Sequence, residues 1–132
     1  MNQSKIKEIQ EDYKKCLLRL GEVIERDSKK DPDLIDATIQ RFEFTFELAW
    51  KLMREVLLYR GKEVNSPRMA IKEAFKENFF EEGEDWIKML EDRNLTSHTY
   101  KQDLANEIYE RIKNKHFKLL NDLEKDIKIE KN

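Results

Sequence analysis

The segment between Asp31 and Gly61 constrains the fold most, because it predicts one long helix that is too apolar to stand alone. Asp31 followed by Pro32 is an N-cap residue before the proline that often opens a helix. Gly61 is the residue type that most often ends one. The helix would be roughly 43 Å long at 1.5 Å per residue. Its apolar residues spread beyond one face, so it either lies centrally in a bundle or also contacts another chain.

The rest of the chain predicts four shorter helices by the same apolar spacing of three and four residues. They are expected over residues 4–26, 66–77, 84–96 and 100–126. The helix at 66–77 opens on Ser66 and a proline, a second N-cap pattern. Five of its apolar residues are expected to face inward: Met69, Ala70, Ile71, Ala74 and Phe75.

The composition favours an all-α protein, since 132 residues include only three Gly and two Pro. We expect a single domain over residues 1–132, folded as a four- to five-helix up-and-down antiparallel bundle. Its core would span about residues 5–125, and the charged tail at 127–132 is expected to fray.

Composition also excludes several functional classes. No run of about 18 apolar residues is present, so no membrane partner or membrane span is expected. A single cysteine, Cys16, suits a reducing cytoplasm, and one Cys with two His argues against a structural zinc site. We expect no metal and no cofactor. A net charge of −2 gives no global basic field, so any contact with RNA would be local.

The stretch at residues 91–100 holds the most informative chemistry: Arg93, His98 five residues later, and Tyr100. A guanidinium clamps a phosphate, and an imidazole moves protons near neutral pH. On a continuous helix, residues five apart diverge by roughly 140°. Either the helix ends between them or two chains combine their copies. Thr99 and Gln102 form a capping-box pattern, which favours a break with Tyr100 opening the next helix.

The same Arg-x4-His spacing recurs at Arg111 and His116. This copy lies in what is predicted to be an unbroken helix, where the two side chains would diverge. His116 is expected on the surface, beside a small basic patch of Lys113, Lys115 and Lys118 whose default interpretation is a solvated face. Spacing alone is therefore a weak indication of a site.

Residues 91–100 closely resemble the Arg-x4-His-x-Tyr signature of HEPN-type helical proteins that pair with a minimal nucleotidyltransferase. Residues 41–51 resemble the signature of the nucleotidyltransferase substrate-binding protein family in the same group. Ser66-Pro67-Arg68 and Glu107-Ile108-Tyr109 also match that family. The resemblance covers about residues 5–125, and it implies an architecture similar to the helical half of kanamycin nucleotidyltransferase.

The resemblance implies a homodimer in which Arg93 and His98 are the catalytic residues of a composite RNA cleft between the two copies. Asn94 would be their polar companion and Asp92 a supporting residue. Tyr100 would be adenylylated by the partner nucleotidyltransferase, which would block the cleft with negative phosphate. The plainer interpretation is that Arg93 pairs with a neighbouring carboxylate on a solvated face, and that Tyr100 is an amphipathic aromatic at a helix start.

The resemblance also suggests a patch of Glu47, Trp50 and Lys51 that contacts a partner or a nucleotide. The alternative is ordinary packing: Trp50 would belong to the core, while Glu47 and Lys51 would form a surface pair one helical turn apart.

Three functions follow. The first is a helical substrate-binding subunit that pairs with a separate minimal nucleotidyltransferase in a toxin–antitoxin-type module. The chain is not itself the nucleotidyltransferase, because it lacks a Gly-rich phosphate loop and the Asp-x-Asp strand motif. The second is a metal-independent ribonuclease toxin using Arg93 and His98, inhibited by adenylylation of Tyr100. The third is a non-catalytic dimerisation scaffold. Whether the chain is an enzyme stays open at this point.

Overall fold

The computed structural model describes residues 2–127, all of whose regular elements are helical. Six α-helices follow one another: α1 Asn2–Ile24, α2 Asp33–Tyr59, α3 Pro67–Lys76, α4 Gly83–Leu95, α5 Gln102–Arg111 and α6 Phe117–Asp126. A 3₁₀ turn, Thr96–His98, follows α4, and a π-helical segment, Ile112–His116, joins α5 to α6 without a break. The predicted all-α bundle is confirmed. Because α5, the π-helical segment and α6 form one continuous helix, the bundle within residues 2–127 consists of five continuous helices. The expected charged tail lies mostly outside the described residues.

Two helix ends, the start of α3 and the end of α2, obey the capping rules on which the predictions rested. The Ser66 hydroxyl accepts a hydrogen bond from the Met69 amide at 3.2 Å and opens α3 as predicted. Gly61 ends α2 in the left-handed region, at φ 89°. The Lys62 amide there bonds back to the Leu57 carbonyl at 2.8 Å, which closes a Schellman motif. The start of α2 differs from its prediction, because Pro32 and not Asp31 directly precedes the helix; the Asp31 carboxylate accepts from the Asp33 amide at 3.1 Å.

Helix α2 lies at the centre of the bundle and packs against α1, α3, α5 and α6. It runs antiparallel to α1. Arg41 Nη1 of α2 donates to the carbonyl of Arg19 at 2.8 Å, and near the other end Gln3 donates to the Tyr59 hydroxyl at 2.8 Å. Of the two alternatives predicted from its wide apolar surface, the central position is therefore confirmed, and contact with another chain stays a prediction.

Helix α1 also packs antiparallel on α6. The Tyr13 hydroxyl, fully buried, donates to the Leu120 carbonyl at 2.5 Å, and burial raises the pKa of that tyrosine well above its usual value. Gly21 allows the close approach, because a Cβ there would lie 3.1 Å from the Phe117 ring. The glycine thus serves helix packing without ending α1.

The prediction of which α3 residues face the core was partly wrong. Ala70, Ile71 and Ala74 are buried, but Met69 and Phe75 are 45% and 47% exposed. A ten-residue helix packed on one side buries a single stripe, and these two residues flank it.

No helix within residues 2–127 is long and apolar enough to cross a membrane. In the same residues, no group of three or more His, Cys, Asp or Glu side chains lies close enough together to hold a metal ion.

Candidate functional site

Helix α4 ends at Leu95, between Arg93 and His98, and the chain turns through the 3₁₀ segment that contains His98. The predicted break is confirmed, but its predicted cause is wrong. The Thr99 hydroxyl does not cap the next helix, because it donates back to the carbonyl of Thr96 at 2.8 Å. Helix α5 begins at Gln102, so Tyr100 lies in the connecting turn.

The buried Thr96 fastens this turn to α2. Its hydroxyl oxygen lies 2.7 Å from a carboxylate oxygen of Glu43 and 2.7 Å from the carbonyl of Arg93. A hydroxyl has one proton, so it donates to one of these two acceptors at a time. The contact with Glu43 joins residues 53 positions apart and fixes the turn against the central helix.

The other predicted residues of this stretch face solvent. Asn94 and His98 are exposed, and Tyr100 is 77% exposed. The His98 and Tyr100 rings contact edge to face, with centroids 6.1 Å apart. Arg93 is half-buried, and its Nε is buried without a hydrogen-bond acceptor among the described residues. The segment therefore presents an accessible imidazole and phenol that touch each other, and it begins with a half-buried arginine whose Nε has no acceptor among the described residues.

Asp92 is buried and faces a different set of partners. Arg111 donates to both of its carboxylate oxygens, at 2.7 and 2.8 Å. His116 Nε2 lies 2.7 Å from one of the same oxygens and donates to it, because a carboxylate only accepts. Asp92, predicted as support for Arg93, is thus the centre of a three-residue cluster with Arg111 and His116, which we call the Asp92 cluster.

The expectation that Arg111 and His116 diverge on an unbroken helix is wrong, and the π-helical segment is the reason. Residues bonded i to i+5 turn at about 4.4 residues per turn, so five residues separate side chains by roughly 50° instead of 140°. Both side chains therefore reach Asp92 on α4. His116 is 1% exposed, and the expectation of a surface histidine is also wrong.

Charge and burial compete at the Asp92 cluster. Burial alone would raise the pKa of Asp92, but hydrogen bonds from His116 and Arg111 bring that pKa below the ordinary aspartate value. The same bond to Asp92 raises the pKa of Arg111. The His116 ring stacks on Phe42, with centroids 5.6 Å apart, and its Nδ1 is buried without a partner among the described residues.

One pattern in the sequence could have placed His116 correctly. The apolar stripe of α5 and α6 includes Ile108, Ile112 and Leu120, and His116 occupies the missing four-residue step between the last two. A histidine at a stripe position is expected to be buried. The π-helical segment itself has no comparable pattern in the sequence.

The patch of Glu47, Trp50 and Lys51 lies on α2. Lys51 and Glu47 pair at 3.4 Å with both side chains 40% exposed, and Trp50 is half-buried beneath the Arg54 guanidinium. Trp50 Nε1 is buried without an acceptor among the described residues. Glu47 and Trp50 are one and two turns from Glu43, so they extend the face of α2 that touches the turn after α4.

A family model described as "Nucleotidyltransferase substrate binding protein like" matches residues 8–129. The chain belongs to this family. Membership agrees with the resemblance of residues 91–100 and 41–51 to the signatures of such proteins.

One protein of similar sequence and one solved structure of similar fold extend the comparison. A Haemophilus influenzae protein named "Probable ribonuclease HepT" is 31% identical over 86 residues, which cover 60% of this chain and 58% of that protein. The chain thus spans little more than half of the length of that relative. A crystal structure of a Thermus thermophilus protein superposes with a TM-score of 0.76 at 34% identity. The superposition covers 84% of this chain and 94% of the Thermus chain, which supports the helical-bundle fold.

Proposed function

We propose that the protein is a helical substrate-binding subunit that works with a separate minimal nucleotidyltransferase, as one half of a toxin–antitoxin-type module in the cytoplasm. The family match over residues 8–129 carries this proposal. The chain has no phosphate loop or acidic strand motif of its own, so the transfer chemistry belongs to the partner. The patch of Glu47, Trp50 and Lys51 is the proposed contact with the partner or with a nucleotide.

Co-expression with a small nucleotidyltransferase encoded beside the gene tests the pairing. We expect the two chains to co-elute on size-exclusion chromatography and the Glu47→Lys, Lys51→Glu double variant to weaken the complex. Arg26→Glu alters a charge at another exposed position and serves as the control. A nucleotidyltransferase that never co-elutes with the wild-type chain would contradict the proposal.

A second function, metal-independent cleavage of RNA, is supported by Arg93, whose Nε has no acceptor among the described residues, and by the exposed His98 on the turn that follows the same helix. A guanidinium binds a phosphate through two parallel hydrogen bonds and stabilises its negative charge. The 2′ oxygen of the RNA would lose its proton, attack phosphorus and displace the 5′ oxygen, which takes a proton in return. The name of the Haemophilus relative supports the same activity.

The two proton transfers explain why a homodimer is proposed for this activity. One imidazole must accept a proton while another group supplies one, and two copies of the chain would provide two His98 side chains at one cleft. Light scattering after size-exclusion chromatography should report a dimer. A strictly monomeric protein would remove the composite cleft from the proposal.

Tyr100 is the proposed site of adenylylation by the partner. At 77% exposure its hydroxyl is accessible, and its ring touches His98, so an added phosphate would lie beside the proposed cleft. Intact-mass spectrometry after incubation with the nucleotidyltransferase and ATP should find one added adenylyl group on the wild-type chain and none on Tyr100→Phe. An unmodified wild-type chain would contradict this step.

The experiment that separates ribonuclease from passive subunit is growth of a host that expresses the chain, followed by RNA integrity. We expect growth arrest and RNA degradation with the wild type, and neither with Arg93→Ala or His98→Ala. Arg26→Ala removes a different exposed guanidinium and should behave as the wild type. Equal growth and intact RNA for all variants would refute the ribonuclease and leave the partnered subunit or a dimerisation scaffold, which requires no Arg93, His98 or Tyr100.

A further inference from the structure

The Asp92 cluster joins the last turn of α4 to the end of α5 and to the π-helical segment. Asp92 is the chain neighbour of Arg93 and lies three residues before the end of α4 at Leu95. Arg111 and His116 hold both of its oxygens at 2.7 to 2.8 Å. Whatever fixes Asp92 therefore also fixes the backbone from which the Arg93 side chain departs.

The site segment, residues 93–100, has one further anchor besides this cluster among the described contacts between elements: the bond between Thr96 and Glu43. One anchor precedes Leu95 and the other follows it. Together they hold the two ends of the helix break, whereas the exposed Asn94, His98 and Tyr100 make no such contact to another element among those described. Two polar contacts, with the buried Asp92 carboxylate and the buried Thr96 hydroxyl, thus hold the site segment in addition to the apolar packing of α4.

Stability alone does not account for the composition of the cluster. A buried ion pair costs desolvation, and apolar residues of the same volume often hold helices together equally well. The cluster also interrupts the α-helix with a π-helical segment and leaves His116 Nδ1 without a partner among the described residues. π-helical segments recur at functional sites, where the altered register aims particular side chains.

We propose that Arg111 and His116 are positioning residues for the Arg93–His98 site, an inference that rests on the proposed ribonuclease function. By clamping Asp92 they fix the last turn of α4, so that Arg93 and the following 3₁₀ turn keep the orientation that cleavage requires. They also engage the carboxylate next to Arg93 in the chain, which leaves the Arg93 guanidinium to meet a phosphate. Neither residue touches the RNA.

Two substitutions at His116 separate positioning from folding. His116→Gln retains an amide donor that can reach Asp92, whereas His116→Leu fills similar space without a donor. Arg60→Gln is the control for general destabilisation, because it weakens a buried ion pair to Glu77 near the far end of α2. That position lies roughly 25 Å from Glu43 along the helix axis.

The first measurement does not require activity. Amide hydrogen exchange of residues 95–101 should accelerate about tenfold in His116→Leu, through local opening, and should stay near the wild-type rate in His116→Gln and Arg60→Gln. The His98 imidazole resonance should shift in His116→Leu only, and its assignment is simple because the chain has two histidines. Unchanged exchange in His116→Leu, or equal acceleration in Arg60→Gln, would overturn the proposal.

The second measurement is RNA cleavage at a temperature where all variants are folded. His116→Leu should lose roughly 10²-fold in cleavage rate, as expected when a catalytic group is displaced by about 1 Å, and His116→Gln should recover most of it. Equal activity of the two variants would overturn the positioning role. If the wild type cleaves no RNA, the ribonuclease proposal fails, while the exchange measurement still decides whether the cluster orders the segment.

Discussion

Replacement of Asp92 by asparagine tests the physical account of the cluster most directly. Asp92→Asn keeps the shape of the side chain but replaces one accepting oxygen by an NH₂ group. That group faces a donor of Arg111 or His116, so at least one hydrogen bond is lost. Hydrogen bonds to charged groups are each worth about 1.5–3 kcal/mol. Water reaches the Arg111 side chain, which is 44% exposed, and offsets part of the loss. We expect the free energy of unfolding to fall by about 2–3 kcal/mol.

That loss converts into a measurable change of melting temperature. The unfolding entropy is about 2.1 cal/mol/K per residue. For 132 residues, each 1 kcal/mol of destabilisation therefore lowers the melting temperature by about 3.6 °C. Circular dichroism at pH 7 should therefore show Asp92→Asn melting about 7–11 °C below the wild type. A decrease under about 2 °C would refute the reasoning, because the cluster would then contribute little.

The pH dependence of this loss of stability tests whether the negative charge of Asp92 causes it. The pKa of Asp92 is lower in the folded state than in the unfolded chain, so the carboxylate stabilises the fold above about pH 4. This stability is lost as the pH falls through the folded-state pKa. The difference between wild type and Asp92→Asn should thus be largest near neutral pH and shrink below about pH 4. If the difference in unfolding free energy were the same at neutral pH as below about pH 4, the charge of Asp92 would not be its cause.

Three further predictions concern single contacts. Gly61→Ala should destabilise the protein by about 1 kcal/mol, because its φ of 89° strains any residue with a Cβ, and denaturant unfolding will show it. Ser66→Ala should cost about 1 kcal/mol in the same assay through loss of the cap on α3, whereas Ser66→Asp, which can still cap, should cost little. Burial and the nearby Asp12 raise the pKa of the Cys16 thiol. Near pH 8, iodoacetamide should therefore alkylate Cys16 more slowly in the native protein than in the protein unfolded in urea. Equal rates would contradict this prediction.

Much of the fold was predictable because local chemistry and global packing agree in this chain. The two Pro-containing helix starts and the glycine stop place the bounds of α2 and α3 within two residues of where they lie. The errors fall where one helix meets few neighbours. Phe75 was expected in the core because it is large and apolar, but the short α3 has no inner position left for it, and it lies 47% exposed with its ring near Phe80.

The site was predictable to a smaller extent. The five-residue spacing left a helix break or a pairing of two chains as alternatives, the capping-box pattern of Thr99 and Gln102 favoured the break, and the break is present. Its cause did not follow, since the Thr99 hydroxyl bonds backward to the Thr96 carbonyl instead of capping the next helix. The contact of Thr96 with Glu43 spans 53 positions, and no pattern within either segment indicates it.

The two Arg-x4-His copies show why a spacing does not define a role. An α-helix turns residues five apart away from each other, so either copy can bring its two side chains together only if the helix is altered between them. At Arg93 the helix ends, and its histidine is released into an exposed turn. At Arg111 the helix widens into a π-helical segment, and its histidine is drawn into the core onto Asp92. What distinguishes them in the sequence is the surrounding pattern: His116 interrupts an apolar stripe, while His98 lies among polar residues. The burial expected at the histidine therefore identifies such a site better than the number of residues between the arginine and the histidine.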